Sequence, residues 1–463
     1  MTELLLARWQ FGITTTYHFL FVPLTLGLSI LLAIMETIYV RTGNQRYKKM
    51  TQFWGKLFLI NFALGVVTGI VQEFHFGMNW SEYSRFMGDI FGAPLAMEAL
   101  TAFFLESTFL GLWIFGWERL PKRLHAATIW IVALASNLSA FWILVANSFM
   151  QSPVGYVLRN GRAEMIDFTA LVTNPYVAFQ YSHTFFSALT TAGVFVTAIS
   201  AYYLLKESYR EYFLPSFRLG VVCMLLGAVL AGGTGHLQAQ NIAKVQPMKL
   251  AAVEALWETD SSAPLALYAS IDEEKRLNSS EISIPGALSF MVHNSFTGEV
   301  KGINNLQAEY TAEFGPGNYI PQVTPLFWSF HIMFLTGGWL VLLAALGVLL
   351  LLTGRLESQR WFLWAALWTL PVPYIANSTG WFVTEIGRQP WIVYGLQRVE
   401  QAVSPGVPAP SIWISLIGFT LVYGVLALSA VYLGRKIILQ GPDIGHGREQ
   451  QQSKATKEAA LWS

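Results

Sequence analysis

An all-α integral membrane protein of about nine transmembrane helices with one long extracytoplasmic loop is predicted by three observations. Of 463 residues, 54% are hydrophobic and only 12% charged, whereas a soluble chain carries roughly 25% charged residues. Apolar windows of about 20 residues, the length that crosses hydrocarbon, recur along most of the chain. The loops between them alternate between rich and poor in Lys and Arg, the pattern that orients a membrane protein. A net charge of +1, without basic runs interleaved with aromatics, gives no sign of nucleic-acid binding. The single cysteine, Cys223, excludes an internal disulfide framework, a CxxCH haem attachment and a Cys-held iron–sulfur cluster. Any cofactor is left to His, Met or carboxylate ligands.

The predicted spans are 11–39, 54–77, 94–116, 126–149, 178–205, 216–238, 325–352, 361–386 and 411–434. The first ten residues lack the positive region and small-residue cleavage site of a signal peptide, so the first helix is expected to stay. Arg41, Arg46, Lys48 and Lys49 follow span one, and Arg119, Lys122 and Arg123 follow span three. These loops are assigned to the cytoplasm, with the N-terminus outside and the C-terminus inside. The chain thus divides into six spans (1–238), an acidic outer loop (239–323), three further spans (324–436) and a polar tail (437–463) read as disordered. A connection as long as 239–323 is usually functional.

Ionisable residues inside spans are expensive and default to functional hypotheses. His18 lies in span one; alone it would more often be a packing residue than a ligand. His75 ends span two, where a snorkelling polar end accounts for it. Span three carries Glu98 and Glu106. As an α-helix this places them roughly 80° apart in rotation and about 12 Å apart along the axis, too far to share a proton and suited to a water-bridged relay. The alternative is two protonated carboxyls bonded to neighbouring helices. Span four adds Asn137, Ser139 and Asn147, expected chiefly to pack between helices. His183 opens span five and Met333 lies early in span seven, where methionine is ordinarily core filler.

The stretch Gly380-Trp381-Phe382-Val383-Thr384-Glu385-Ile386-Gly387-Arg388-Gln389-Pro390-Trp391 closes an apolar run with a carboxylate and a guanidinium. One reading is a helix end with Arg388 snorkelling and Trp381 and Trp391 in the aromatic belt. The other is a paired, functional charge. Depth favours the second: His18, Glu98, His183, Met333 and Glu385 all fall in the outer half of the predicted bilayer, on five helices. Such a layer suits several haems, with Arg388 shaped to neutralise a propionate.

The GWxxxExGRQPW pattern of this stretch, the GAPLAMEALTAFFLEST run from Gly92, the setting of His183 and the QPMKLAAVEALWE run from Gln246 resemble subunit I of the cytochrome bd-type quinol oxidases, in its short-loop branch. The resemblance spans nearly the whole chain. It implies a low-spin haem b held by His183 and Met333, a high-spin haem b on Glu385, and a haem d, or a third haem b, on His18. It further implies Glu98 beside the high-spin pair, Glu106 on a proton path, Arg388 and Trp381 at the cofactors, and Lys249 and Glu254 in a quinol-binding outer loop. A second membrane subunit, small single-span accessory subunits and a bacterial cytoplasmic membrane are expected with it. The expected activity is quinol oxidation at the outer face and O2 reduction to water, building a proton motive force without a pump. His331 stands where some members carry Arg. The rival classes are a haem-bearing electron-transfer subunit without oxygen chemistry and a proton-coupled transporter with midplane carboxylates.

Overall fold

The computed structural model describes residues 2–442, apart from the side chain of Glu357. The predicted tail begins inside a helix that runs on to Gln440, and its remainder, 443–463, lies outside the described residues. Among the described residues eight helical segments are long and apolar enough to cross a membrane, and two of the nine predicted spans are interrupted.

The first span is α1 (Glu3–Phe19) and α2 (Val22–Thr42). Pro23, lacking an N–H, weakens the ladder where they meet, and Asn61 Nδ2 donates to the Phe21 carbonyl there at 2.8 Å. This break lies next to His18. α3 (Gln45–Met78) returns across the membrane. α4 (Ser81–Glu98) runs through a five-residue π-turn, Ala99–Phe103, into α5 (Phe104–Phe115), and α6 (Lys122–Gln151) follows antiparallel. A small hairpin, β1 (Tyr156–Arg159) and β2 (Arg162–Met165), and the short α7 (Phe168–Val172) lead to α8 (Pro175–Leu205) and α9 (Arg210–Val245).

α8 and α9 form the most intimate helix pair, because glycines let the backbones meet. A Cβ on Gly193 would lie 2.6 Å from the Met224 nitrogen, and one on Gly220 2.6 Å from Thr197 Oγ1. Between helices in lipid such close packing replaces the hydrophobic drive that water supplies.

α9 passes the predicted end of span six at 238, so the segment predicted to lie outside, here termed the outer segment, begins at α10 (Pro247–Val253). It continues as a hairpin of β3 (Leu265–Asp272) and β4 (Leu277–Ile284), α11 (Ala287–His293) and α12 (Ile303–Phe314). These fold on their own core of Met248, Leu250, Trp257, Leu288, Leu306 and Tyr319. α13 (Val323–Leu352) is a full span. The predicted span 361–386 is instead α14 (Arg360–Trp368) and α15 (Val372–Ile386), parted at Thr369–Pro371, where Pro371 and Pro373 leave backbone carbonyls without their helical donors. A two-strand ribbon, β5 (Trp391–Val393) and β6 (Gln397–Arg398), precedes α16 (Ala409–Gln440).

At the opposite end from the outer segment, Glu36 of α2 is buried. Trp113 Nε1 donates to its Oε2 at 2.7 Å, and His125 Nδ1 lies 2.5 Å from its Oε1. His125 Nε2 donates to the Trp113 carbonyl at 2.9 Å, so a single proton is held between Nδ1 and Oε1. Removing one member of a buried pair leaves the other charge uncompensated, at a cost of about 3–5 kcal/mol. His125→Ala is accordingly expected to lower thermal stability in detergent far more than the apolar double replacement Glu36→Leu with His125→Phe; equal losses would show that packing alone matters there.

Candidate functional site

A cavity of about 890 Å³ opens between α1, α3, the α4–α5 segment, α6 and α15. His18, Glu98, Glu106, Trp381, Glu385 and Arg388 all line it. His183, Met333, Lys249 and Glu254 do not. Of these ten residues, six therefore share one chamber and four lie outside it.

Arg388 does not snorkel. Its side chain is 3% exposed and its Nη2 donates to Glu385 Oε2. Trp391 is buried against Phe314 and Tyr319 of the outer segment instead of standing in an aromatic belt. Glu385 Oε1 accepts from Asn147 Nδ2 at 3.1 Å and from Gln151 Nε2 at 3.4 Å. Asn147, expected to serve packing, thus holds the central carboxylate. Gln180 Nε2 in turn donates to Asn147 Oδ1 at 2.8 Å, and Ser148 Oγ to Gln180 Oε1 at 3.0 Å. The Arg388 Nε and Nη1 donors have no protein partner although buried. A guanidinium so placed is completed by an anion with planar oxygens.

The π-turn changes the geometry expected for span three. One extra residue is absorbed between Glu98 and Glu106, so eight positions act as seven in helical phase and the two side chains lie within about 20° of each other in rotation. Both face the cavity, which the regular-helix estimate of 80° did not foresee. Ser139 Oγ donates to Glu98 Oε1 at 2.6 Å, and Ser136, one turn away on α6, stands beside Glu106. The result is a row of carboxyl and hydroxyl groups along one wall.

Both candidate imidazole ligands are oriented through Nδ1. His18 Nδ1 is 2.9 Å from Thr68 Oγ1, whose own proton goes to the Leu64 carbonyl at 2.8 Å. His183 Nδ1 is 2.9 Å from the Ala231 carbonyl. Each Nδ1 must then be the donor, which leaves the Nε2 lone pair free to bind a metal. A glycine on a neighbouring helix accommodates each soft or nitrogen donor. A Cβ at Gly69 would lie 3.0 Å from His18 Cε1, one at Gly235 3.2 Å from His183 Cε1, and one at Gly380 3.0 Å from Met333 Sδ.

Lys249 joins the outer segment to this site. Its buried Nζ donates to Gln151 Oε1 at 2.7 Å and to the Thr384 carbonyl at 3.0 Å, and its stem passes against Gly387. Since Gln151 also reaches Glu385, one glutamine bridges Lys249 and the central carboxylate. Burial, then the Arg388 charge, holds the Lys249 ammonium well below the usual lysine range, with Glu385 opposing. Burial pushes the Glu254 carboxyl well above the usual range. It sits beside the Ala266 backbone amide, with neither oxygen in hydrogen-bonding geometry.

Gln151 and Thr68 escaped the sequence reading, because a Gln at a helix end and a Thr within a span are common. His75 was misread. It is fully buried between the rings of Phe11 and Phe419, with neither nitrogen partnered, so it does not snorkel.

Residues 6–442 match the family described as cytochrome bd terminal oxidase subunit I. The chain is 51% identical over 446 residues to cytochrome bd ubiquinol oxidase subunit 1 of Bacillus subtilis (strain 168), covering 96% of this chain and 95% of that one. It is 41% identical over 508 residues to cytochrome bd-II ubiquinol oxidase subunit 1 of Escherichia coli (strain K12), covering 97% and 99%. Its fold superposes on the bd oxidase structure from Geobacillus thermodenitrificans with a TM-score of 0.87 at 28% identity, covering 95% and 99%.

The two buried outer groups give stability opposite pH slopes. Between pH 4.5 and the raised value of Glu254 the native chain binds the extra proton, so stability falls as pH rises, by at most about 1.4 kcal/mol per unit. Between the lowered value of Lys249 and 10.5 the unfolded chain binds the extra proton, and stability rises with pH. Glu254→Gln removes only the first slope. Its melting temperature, compared with that of the parent across a pH series, is expected to match near pH 4 and to gain steadily as pH rises; parallel curves would exclude a buried, proton-holding Glu254.

Proposed function

The chain belongs to the cytochrome bd terminal oxidase subunit I family, and from that premise we propose how its residues divide the work of a terminal quinol oxidase. It is a multi-pass bacterial membrane protein that takes electrons from quinol and passes them to O2, it carries haem, and a second subunit accompanies it. The observation that carries the finer assignment is the shared chamber of His18, Glu98, Glu106, Trp381, Glu385 and Arg388.

The donor set fits haem. Among the described residues no three His, Cys, Asp or Glu converge as a free-ion site, so each iron would owe most of its donors to a macrocycle. The imidazoles present unprotonated Nε2 atoms, and the two unpartnered donors of Arg388 suit a propionate. We assign His183 and Met333 to a low-spin haem b, Glu385 to a high-spin haem b, and His18 to a haem d or third haem b. Haem iron, when bound, supplies the one-electron steps and an open position for O2.

The chain's own residues do the rest. Lys249 and Glu254 receive the quinol head at the outer segment, where burial gives Glu254 the high proton affinity that a weakly acidic hydroxyl requires. The released protons leave on the outer side. Glu106, Ser136, Ser139 and Glu98 form a polar row along which protons from the cytoplasmic side advance along the chamber wall. Asn147 and Gln151 hold Glu385 in place, and Arg388 holds negative charge beside it. Oppositely sided proton release and uptake would charge the membrane without a pump. The orientation with the N-terminus outside rests on the Lys and Arg distribution, and small single-span subunits complete the expected partner set.

The dithionite-reduced minus air-oxidised visible spectrum of the purified oxidase, repeated with CO, tests this assignment. A low-spin b signal with a CO-sensitive high-spin species is expected, a red-shifted chlorin band marking haem d. His183→Ala should abolish the low-spin signal alone, and an unchanged spectrum would sink its role. Glu106→Gln should slow O2 consumption by at least about tenfold with haem content intact; loss of all haem would make Glu106 structural.

A further inference from the structure

We propose that the β3–β4 hairpin of the outer segment is embedded in the interfacial layer of the outer leaflet, its outward face resting on lipid. This rests on the membrane placement of α13 and on none of the haem assignments.

One face of the hairpin is spent on protein. Ala266 and Ala269 are buried in the outer segment's core. On the other face Tyr268 pairs with Ile282, and Ile284 points the same way two residues on. A bulge between Ala266 and Tyr268 turns Leu267 outward as well. Ile282 is 63% exposed, and Leu267, Tyr268 and Ile284 are exposed too. A two-stranded ribbon with one face in water normally turns its polar residues to that side; here Glu281 and Ser283 share the face of Ala269 and Ala266, and the outward face carries Tyr268, Ile282 and Ile284.

The hairpin's attachment to α13 sets its depth. At the turn, Glu273 accepts from the Val323 and Thr324 amides at 3.3 and 2.9 Å, capping the outer end of α13. At the base, His331 Nε2 donates to the Ala266 carbonyl at 2.5 Å, and Leu265 and Leu267 line a cleft with Phe330, Phe334 and Leu335. The hairpin therefore follows α13 inward for about 17 Å. α13 has 30 residues, about 45 Å, which matches a whole bilayer with its headgroups, whereas the hydrocarbon takes about 20 residues. Centred on the helix, the hydrocarbon begins near Trp328; counted from Leu352, it begins near Met333. Under either placement the hairpin base reaches the acyl-chain boundary and the charged turn, Asp272 to Arg276, stays at the water side. Composition follows that gradient, from charged turn through Ser270 and Ser280 to Tyr268, Ile282 and Ile284. Tyr268 also meets Trp328, ring centroids 5.8 Å apart, two residue types that settle at this depth. The apolar face is thus continuous with the exposed Ile332, Phe334 and Leu335 of the span itself.

The test uses the assembled oxidase with Cys223→Ser and either Ile282→Cys or Glu281→Cys, nitroxide-labelled in phosphatidylcholine–phosphatidylglycerol nanodiscs without reductant. Collision of each label with O2, which concentrates in lipid, is compared with collision with a water-soluble nickel chelate. The Ile282 label is expected to favour O2 and the Glu281 label, on the opposite face, the chelate. An Ile282 label favouring the chelate would place the face in water, and one reached by neither reagent would place a protein subunit on it; both overturn the proposal. Ile284→Cys, on the same face, serves if Ile282→Cys fails to assemble.

Discussion

A carboxylate and a guanidinium three residues apart, Glu385 and Arg388, are the constraint to which the rest of the site answers. Taking a charge such as that of the buried Arg388 out of water costs several kcal/mol, recovered only where geometry and further hydrogen bonds are good. The pair alone does not satisfy that condition. Asn147 and Gln151 come from α6 to Glu385, Gln180 comes from α8 to Asn147, and Lys249 comes from the outer segment to Gln151. Three separate parts of the chain, α6, α8 and the outer segment, are thus tied directly or through one another to the carboxylate on α15. Arg388 keeps two donors free, so the network is complete on the protein side and open toward the chamber.

Glycine is the counterpart of these polar anchors. At Gly193 and Gly220 it lets α8 and α9 approach until their backbones nearly touch; at Gly69, Gly235 and Gly380 it makes room for the imidazole and thioether groups that neighbouring helices present. Both uses exploit the absence of a Cβ, but the first tightens the scaffold and the second shapes what the scaffold holds. A helix bundle in lipid gains nothing from burying leucine against leucine, so small residues and buried polar contacts take over the role of a hydrophobic core.

Much of this was legible in the residues themselves. Composition and window hydropathy identify the membrane class, and the twelve-residue stretch from Gly380 marks the site because charges in an apolar run are costly wherever they are put. What could not be read concerns departures from regular helix and partners distant in sequence. The breaks before Val22 and Val372 interrupt runs whose hydropathy never falls, so a sliding window passes over them. Prolines were visible, yet proline is tolerated in many membrane helices. Gln151 reaches Glu385 across 234 positions, and nothing in its own neighbourhood signals that. His75 looked like a polar end because it stands among Gln72 and Glu73; only the packing of α1 and α16 buries it.

The π-turn from Ala99 to Phe103 gives span three two helical registers joined by a one-residue phase slip. Residues on the Glu98 side and residues on the Glu106 side each obey ordinary spacing, but the two sets obey different origins of count. A chamber wall assembled this way depends acutely on the number of residues in the turn, beyond the contacts that Thr101, Ala102 and Phe103 make there. The length of span three is therefore as much a part of the site as the chemistry of its two carboxyls.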